Sequence, residues 1–199
     1  PSGEIFVVWQ DARFSQGAWD GIALSSSRDG GMTWSEPVRI NARGDVPAFG
    51  PTIAIRPDGT IGVSYFDLRA ASATGPLTTT YRLATSVDGK YWRESGIESA
   101  FDITQAPFAN GWFIGDYHGL IGRGTSFGAL YARVTGDVNN RTDIVFANLA
   151  EGTLKSAAPR YSATAGAANV APAAWLREAA LRSADRAARA RWVLRDTAP

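Results

Sequence analysis

Ser27-Arg28-Asp29-Gly30-Gly31-Met32-Thr33-Trp34 is the stretch whose reading decides the fold, and Ser86-Val87-Asp88-Gly89-Lys90-Tyr91-Trp92 is a second version of it, one residue shorter. The Asp29 carboxylate can accept hydrogen bonds from the amides of its own turn, Gly31 can take positive φ, and Trp34 can fold its ring into the space between strands. The stretch therefore reads as a hairpin staple: Ser27, Asp29, Gly31 and Trp34 in the first copy, Ser86, Asp88 and Trp92 in the second. Upstream of each copy lies another matched segment. Gly3 to Arg13 (GEIFVVWQDAR) and Gly59 to Arg69 (GTIGVSYFDLR) agree at five of eleven positions without a gap, at an offset of 56 residues.

Working outward, residues 1–150 consist of short runs rich in β-branched and aromatic residues, such as Ile5-Phe6-Val7-Val8-Trp9 and Thr142-Asp143-Ile144-Val145-Phe146, which read as strands. Turn sequences such as Arg56-Pro57-Asp58-Gly59 and Gly122-Arg123-Gly124 separate them, so antiparallel hairpins follow. A repeat period near 50 with about four strands per unit is what a β-propeller blade requires, because one twisted four-stranded sheet buries its faces only against neighbouring blades. The expected fold class is all-β, a partial propeller of about three blades. The second blade is expected at 51–56, 60–66, 80–86 and 92–98. The first lacks its innermost strand and runs 3–10, 20–27 and 35–40. A third, diverged blade is expected to begin with an inner strand in Trp112-Phe113-Ile114-Gly115-Asp116-Tyr117-His118-Gly119-Leu120 and to continue at about 127–134 and 142–148.

The pattern S-x-D-x-G-x-T-W resembles the Asp box, or BNR repeat, of the sialidase superfamily, and the resemblance covers about residues 1–150. It implies a secreted bacterial protein, extracellular or periplasmic, that acts on or binds glycans. The implied activity is hydrolysis of terminal sialic acids by a glycoside hydrolase of the exo-α-sialidase type. The rival is a non-catalytic Asp-box propeller binding polysaccharide or protein, since fold does not fix function. The Arg-Ile-Pro-like segment and acid/base aspartate of active sialidases are not visible in this sequence. The chain begins with Pro1 and reads as the C-terminal part of a longer protein, whose N-terminal blades would be its partners in the ring.

Composition narrows the chemistry. The chain has 199 residues, of which 45% are hydrophobic and 20% charged, with 20 Lys plus Arg against 19 Asp plus Glu. No global field draws it to nucleic acid or anionic lipid. No cysteine and a single histidine, His118, exclude a disulfide framework, a thiolate zinc site, a cysteine nucleophile and a multi-imidazole metal centre. Gly136-Asp137-Val138-Asn139-Asn140-Arg141 resembles the start of a calcium loop but has Arg141 where an oxygen ligand is needed. No metal and no cofactor is expected, and no apolar run is long enough to span a membrane as a helix.

Strand alternation puts the Asp-box turns on one face of the blades and the loops at 10–19, 41–50, 67–79 and 99–112 on the other, where a ligand is expected. That face would carry Asp11 and Arg13, Asp67 and Arg69, and Asp116, Tyr117 and His118. Guanidinium groups bind carboxylates bidentately, which suits an acidic sugar. Through the resemblance, Tyr117 is the candidate nucleophile, as sialidases use tyrosine in place of a second carboxylate. Asp116, His118 or a residue of the expected upstream blades could take its proton, and the residues leave that choice open. Each reading has a structural competitor. A repeated Asp-x-Arg suits a loop-ordering ion pair, Tyr117 suits packing between blades, and Arg13, Arg69 and Arg133 need not converge as a triad.

Residues 151–199 differ in kind, with 16 alanines in 49 residues and 8 basic against 4 acidic side chains. They read as an Ala/Arg-rich tail with a helix over about 173–195, whose mostly alanine stripe would dock weakly. Three blades cannot close a ring, so unpaired edges and an apolar blade face are expected to limit solubility.

Overall fold

The computed structural model describes residues 3–72, 74–109, 111–150 and 159–166. Within them the chain is all-β, its helical content confined to two short 3₁₀ segments at Ala12–Ser15 and Ile103–Gln105. Thirteen strands run in chain order: β1 (Ile5–Asp11), β2 (Gly21–Ser27), β3 (Val38–Arg39), β4 (Ala48–Ile55), β5 (Ile61–Asp67), β6 (Thr78–Ser86), β7 (Tyr91–Gly96), β8 (Phe101–Asp102), β9 (Gly119–Arg123), β10 (Ser126–Val134), β11 (Thr142–Leu149), β12 (Tyr161–Ser162) and β13 (Thr164–Ala165). They form three antiparallel sheets, none closed on itself. Sheet 1 has the order β1-β2-β3-β13, sheet 2 the order β12-β7-β6-β5-β4 with β8 beside β6, and sheet 3 the order β11-β10-β9.

Sheet 2 is the middle layer, and its interior strand β5, between β6 and β4, is buried at every residue. This is why Ile61 to Asp67 reads as a near-continuous apolar run rather than an alternation. On one side of it Ile61, Val63, Tyr65, Ala84 and Trp92 meet Ile22, Leu24 and Ile40 of the sheet 1 unit. On the other, Phe66, Tyr81 and Leu83 meet Leu120, Phe127, Ala129 and Tyr131 of sheet 3. An aromatic file crosses that second seam, from Phe49 through Phe66 and Tyr81 to Tyr131, with successive ring centroids 5.5, 4.4 and 4.3 Å apart. Gly62 permits the close approach: a Cβ there would lie 2.5 Å from the Phe127 ring.

The strand registers define two ends of the stack. Asp11 pairs with Gly21 and Asp67 with both Ala48 and Thr80 at the loop end, whereas Ile5 pairs with Ser27 and Ile61 with Ser86 at the hairpin end. Expected and observed strands agree closely in sheet 2. They differ in sheet 3, where the strand expected within 112–120 starts only at Gly119, and 112–118 forms a bridge at Trp112 followed by irregular chain. Gly115, with φ of 94°, interrupts the alternation there.

Beyond the expected boundary near residue 150, β12 and β13 add outer strands to sheet 2 and sheet 1, pairing Tyr161 with Trp92 and Thr164 with Arg39. The Tyr161 hydroxyl donates to the Ile40 carbonyl at 2.7 Å, so this short segment straps the outer edges of two sheets together. The helix expected over 173–195 lies outside the described residues. No helix among those residues is long and apolar enough to cross a membrane.

Candidate functional site

The two staples are built alike. Asp29 accepts from the Ser27 hydroxyl at 2.8 Å, the Thr33 amide at 2.9 Å and the Thr33 hydroxyl at 2.5 Å, while Ser27 Oγ accepts from the Gly31 amide at 2.9 Å. Asp88 accepts from the Ser86 hydroxyl at 3.1 Å and from the Lys90 and Tyr91 amides at 2.9 Å each, and Ser86 Oγ takes the Gly89 amide at 2.9 Å. Each tryptophan donates its indole N–H back to a turn carbonyl, Trp34 to Gly31 at 3.1 Å and Trp92 to Gly89 at 3.2 Å. Hydrogen bonds from the Thr33 side chain and amide hold Asp29 down to a pKa of about 2. The turn engages both oxygens of Asp29 and one oxygen of Asp88, whose other oxygen faces Arg160, which is a structural use of aspartate. Both staples lie at the hairpin end.

At the loop end, Asp11 and Asp67 close their strands in the same way. Asp11 accepts from the Arg13 amide at 2.9 Å, from Arg13 Nε at 2.6 Å and from the Trp9 indole at 2.8 Å. Partial burial pushes its pKa up, but those hydrogen bonds prevail and hold it below the usual carboxylate range. Asp67 accepts from Arg69 Nε at 2.6 Å and from the Thr80 hydroxyl at 2.5 Å, with the Arg69 amide at 3.4 Å. The repeated Asp-x-Arg is thus a carboxylate that caps its own loop start and neutralises the arginine two residues on.

Arg69 reaches further. Its Nη1 lies 2.5 Å from Oε1 of Glu94, a glutamate with no exposed surface, which also receives Arg82 Nη2 at 3.1 Å, the Ala42 amide at 3.1 Å and the Tyr65 hydroxyl. Burial pushes Glu94 toward a higher pKa, but Arg69, Tyr65 and Arg82 outweigh it and keep it ionised below the usual range. The fully buried Tyr65 is driven in the opposite direction, by burial and by the Glu94 charge, so it stays a neutral donor. Glu94 and Arg82 escaped the sequence reading. A signal existed: Glu94 stands two residues after Trp92 on a strand, and period-two alternation places it on the same inward face.

The third group is spread rather than assembled. Tyr117 is 84% exposed, and Asp116 is exposed beside it. His118 is half-buried, its ring packed edge-on against Phe66 with centroids 5.1 Å apart, near Gly50 and hence at the loop end. Burial lowers its pKa, opposed by the Gly115 backbone and the Asp116 carboxylate. No hydrogen bond joins Tyr117 to His118 or to Asp116 among the described residues. The remaining triad candidate, Arg133, faces Glu98 at 3.5 Å, while the Tyr131 hydroxyl donates to the same carboxylate at 2.8 Å. Each of Arg13, Arg69 and Arg133 therefore already faces a carboxylate of this chain. Among the described residues no three His, Asp or Glu side chains group as metal ligands.

No family model and no curated protein matches the chain. Its functional reading rests on its own residues, and they divide into three sets. The hairpin-end aspartates form staples, the loop-end Asp-x-Arg residues form ion pairs, and Tyr117 and Asp116 stand exposed near the loop end.

Proposed function

We propose that the three sheets are consecutive blades of a sialidase-like β-propeller, and that the chain is part of an extracellular or periplasmic protein that binds glycans through its loop end. Two hydrogen-bonded Asp-box staples at equivalent places in adjacent sheets support the propeller reading. The observation that carries binding over hydrolysis is the pairing of the arginines: Arg13 with Asp11, Arg69 with Asp67 and Glu94, and Arg133 with Glu98. A guanidinium already neutralised by a neighbouring carboxylate has little charge left to hold the carboxylate of a sialic acid. Tyr117 in this reading contributes an exposed aromatic face to the sugar, with Asp116 as a hydrogen-bond acceptor.

The test is an assay of the full chain on a fluorogenic sialoside beside Tyr117→Phe, together with calorimetric titration of the wild type and Tyr117→Ala with sialyllactose and a neutral oligosaccharide. The expected outcome is saturable sugar binding without turnover, with Tyr117→Ala weakening it about tenfold. Turnover in the wild type that Tyr117→Phe abolishes would replace binding by a tyrosine-nucleophile hydrolase. Absence of both binding and turnover would remove the loop end as a glycan site.

A further inference from the structure

The two seams inside the stack are made in the same sense. The face of sheet 1 that carries Phe6, Val8, Ile22 and Leu24, its leading face, lies on the trailing face of sheet 2, which carries Ile61, Val63 and Tyr65. The leading face of sheet 2, with Phe66, Tyr81 and Leu83, lies in turn on the trailing face of sheet 3, with Phe127, Ala129 and Tyr131. The sequence repeat keeps the same two sides. At the offset of 56 residues Phe6 and Val8 match Gly62 and Ser64 on the leading side, and Ile5, Val7 and Trp9 match Ile61, Val63 and Tyr65 on the trailing side.

Among the described residues no sheet covers the two outermost faces, and they are one of each kind. The trailing face of sheet 1 presents Ile5 and Val7, both exposed, beside the partly buried Trp9. The leading face of sheet 3 presents Ile121, Leu130, Ile144 and Phe146, all exposed. Register puts these four on one side, since Leu130 pairs with Phe146, Ala132 with Ile144 and Gly128 with Ile121. By alternation β10 and β11 place no charged residue on that side. A solvated face of an antiparallel sheet carries polar residues at alternate positions, whereas these positions are apolar.

We propose that the two free faces are the halves of one head-to-tail interface: the leading face of sheet 3 in one copy docks on the trailing face of sheet 1 in a second copy. The contact would continue the seams already present in the stack. The occupant is a second copy because Ile5, Val7 and Trp9 repeat, at the offset of 56, the apolar column of sheet 2 on which a leading face already packs. The six exposed side chains offer on the order of 600 Å² of apolar surface, about half the total of roughly 1,200 Å² at which stable interfaces begin. Apolar atoms make up about that share of such interfaces. An area at this lower bound, with no ion pair on either face, corresponds to micromolar association. Two copies close a ring if the rotation between them allows it, and otherwise the contact continues as an open series. The inference rests on the order of sheet packing and is separate from the glycan reading of the loop end.

The test is the mass of the full chain by size-exclusion chromatography with light scattering, from about 1 µM to about 100 µM. The expected result is one chain's mass at the low end and two chains or more at the high end. Val7→Lys and Phe146→Lys each put a charge into the seam, and each variant should keep one chain's mass throughout. Mixed in equal amounts, the two variants should form a complex of two chains and nothing larger, since each retains the face that the other has lost. Val7→Thr keeps a β-branched strand residue of nearly the same shape and should weaken association about tenfold, so the test stands even if the lysine variants do not fold. A single-chain mass for the wild type at every concentration would overturn the proposal. So would undiminished association in Val7→Thr, self-association of either folded lysine variant, or absence of a complex in their mixture. No sugar takes part, so this outcome is independent of the Tyr117 assay.

Discussion

Sheets 1 and 2 carry the same residues at matched positions and treat them differently. Trp92 has no exposed surface and Trp34 is 45% exposed, although both indoles make the same return hydrogen bond to their turn. Ile61 and Val63 are 3% and 0% exposed, while Ile5 and Val7, their counterparts 56 residues earlier, are 41% and 43% exposed. The reason is position in the stack. Sheet 1 lies over this face of sheet 2, and no described part of the chain lies over the same face of sheet 1. Sheet 3 shows a free outer face too, with Ile121, Leu130, Ile144 and Phe146 exposed. A local motif can thus be complete in its hydrogen bonds and still lack the partner that would make its apolar residues stabilising.

The sharpest way to break this comparison is to truncate both tryptophans. Trp92→Ala should cost about 3–5 kcal/mol in chemical denaturation of the full chain, as expected for a buried aromatic, and Trp34→Ala about 1 kcal/mol. Equal costs would mean that the two faces are covered alike in solution.

The charge network tests the same seam from its polar side. Glu94→Gln leaves Arg69 and Arg82 facing an uncharged amide in a buried place and should cost about 3 kcal/mol near neutral pH. The sign of its pH dependence follows from linkage. Glu94 has a folded pKa below its ordinary value of 4.5, so its contribution is present above 4.5 and fades as pH falls through the depressed folded value. The gap between wild type and Glu94→Gln should therefore narrow on acidification below 4.5. A gap that stays constant to low pH would show that Glu94 is not ionised in the folded chain.

The smallest effect concerns the staples themselves. Ser27→Ala and Ser86→Ala each remove one hydroxyl that joins the aspartate to a turn amide, and each should cost about 1 kcal/mol. Because this part of the motif is local, the two costs should agree within a few tenths, in contrast to the tryptophan pair. A large difference between the serines would move the origin of the asymmetry from the covering sheet into the hairpin.

Much was legible because it is local. The staples were readable from Ser, Asp, Gly and Trp at fixed spacing, since a turn satisfies its own amides from residues two to four positions away. The strands of sheet 2 were readable to within about three residues at each end, because β-branched runs and glycine turns announce them. The Asp-x-Arg pairs were readable as either a ligand clamp or a loop tie, and the coordinates add the ion pairs, each arginine against its own aspartate and Arg69 also against Glu94 of a distant strand. Tyr117 was read as part of an inner strand because the run Trp112 to Leu120 has strand composition, but Gly115 takes a positive φ and pairing begins after it.

By itself, then, the sequence determined the all-β class, the repeat, and the hairpins with their aspartate staples, all of which depend on interactions within about a dozen residues. Tertiary structure alone decided that Glu94 would be sealed between two sheets with Arg69, Arg82 and Tyr65, that a strap at residues 161–165 would tie the outer edges, and that Trp34 would stay half open while Trp92 closed. Those outcomes depend on which surface lies across from which. Such pairing joins residues far apart in the chain, and no local pattern encodes it.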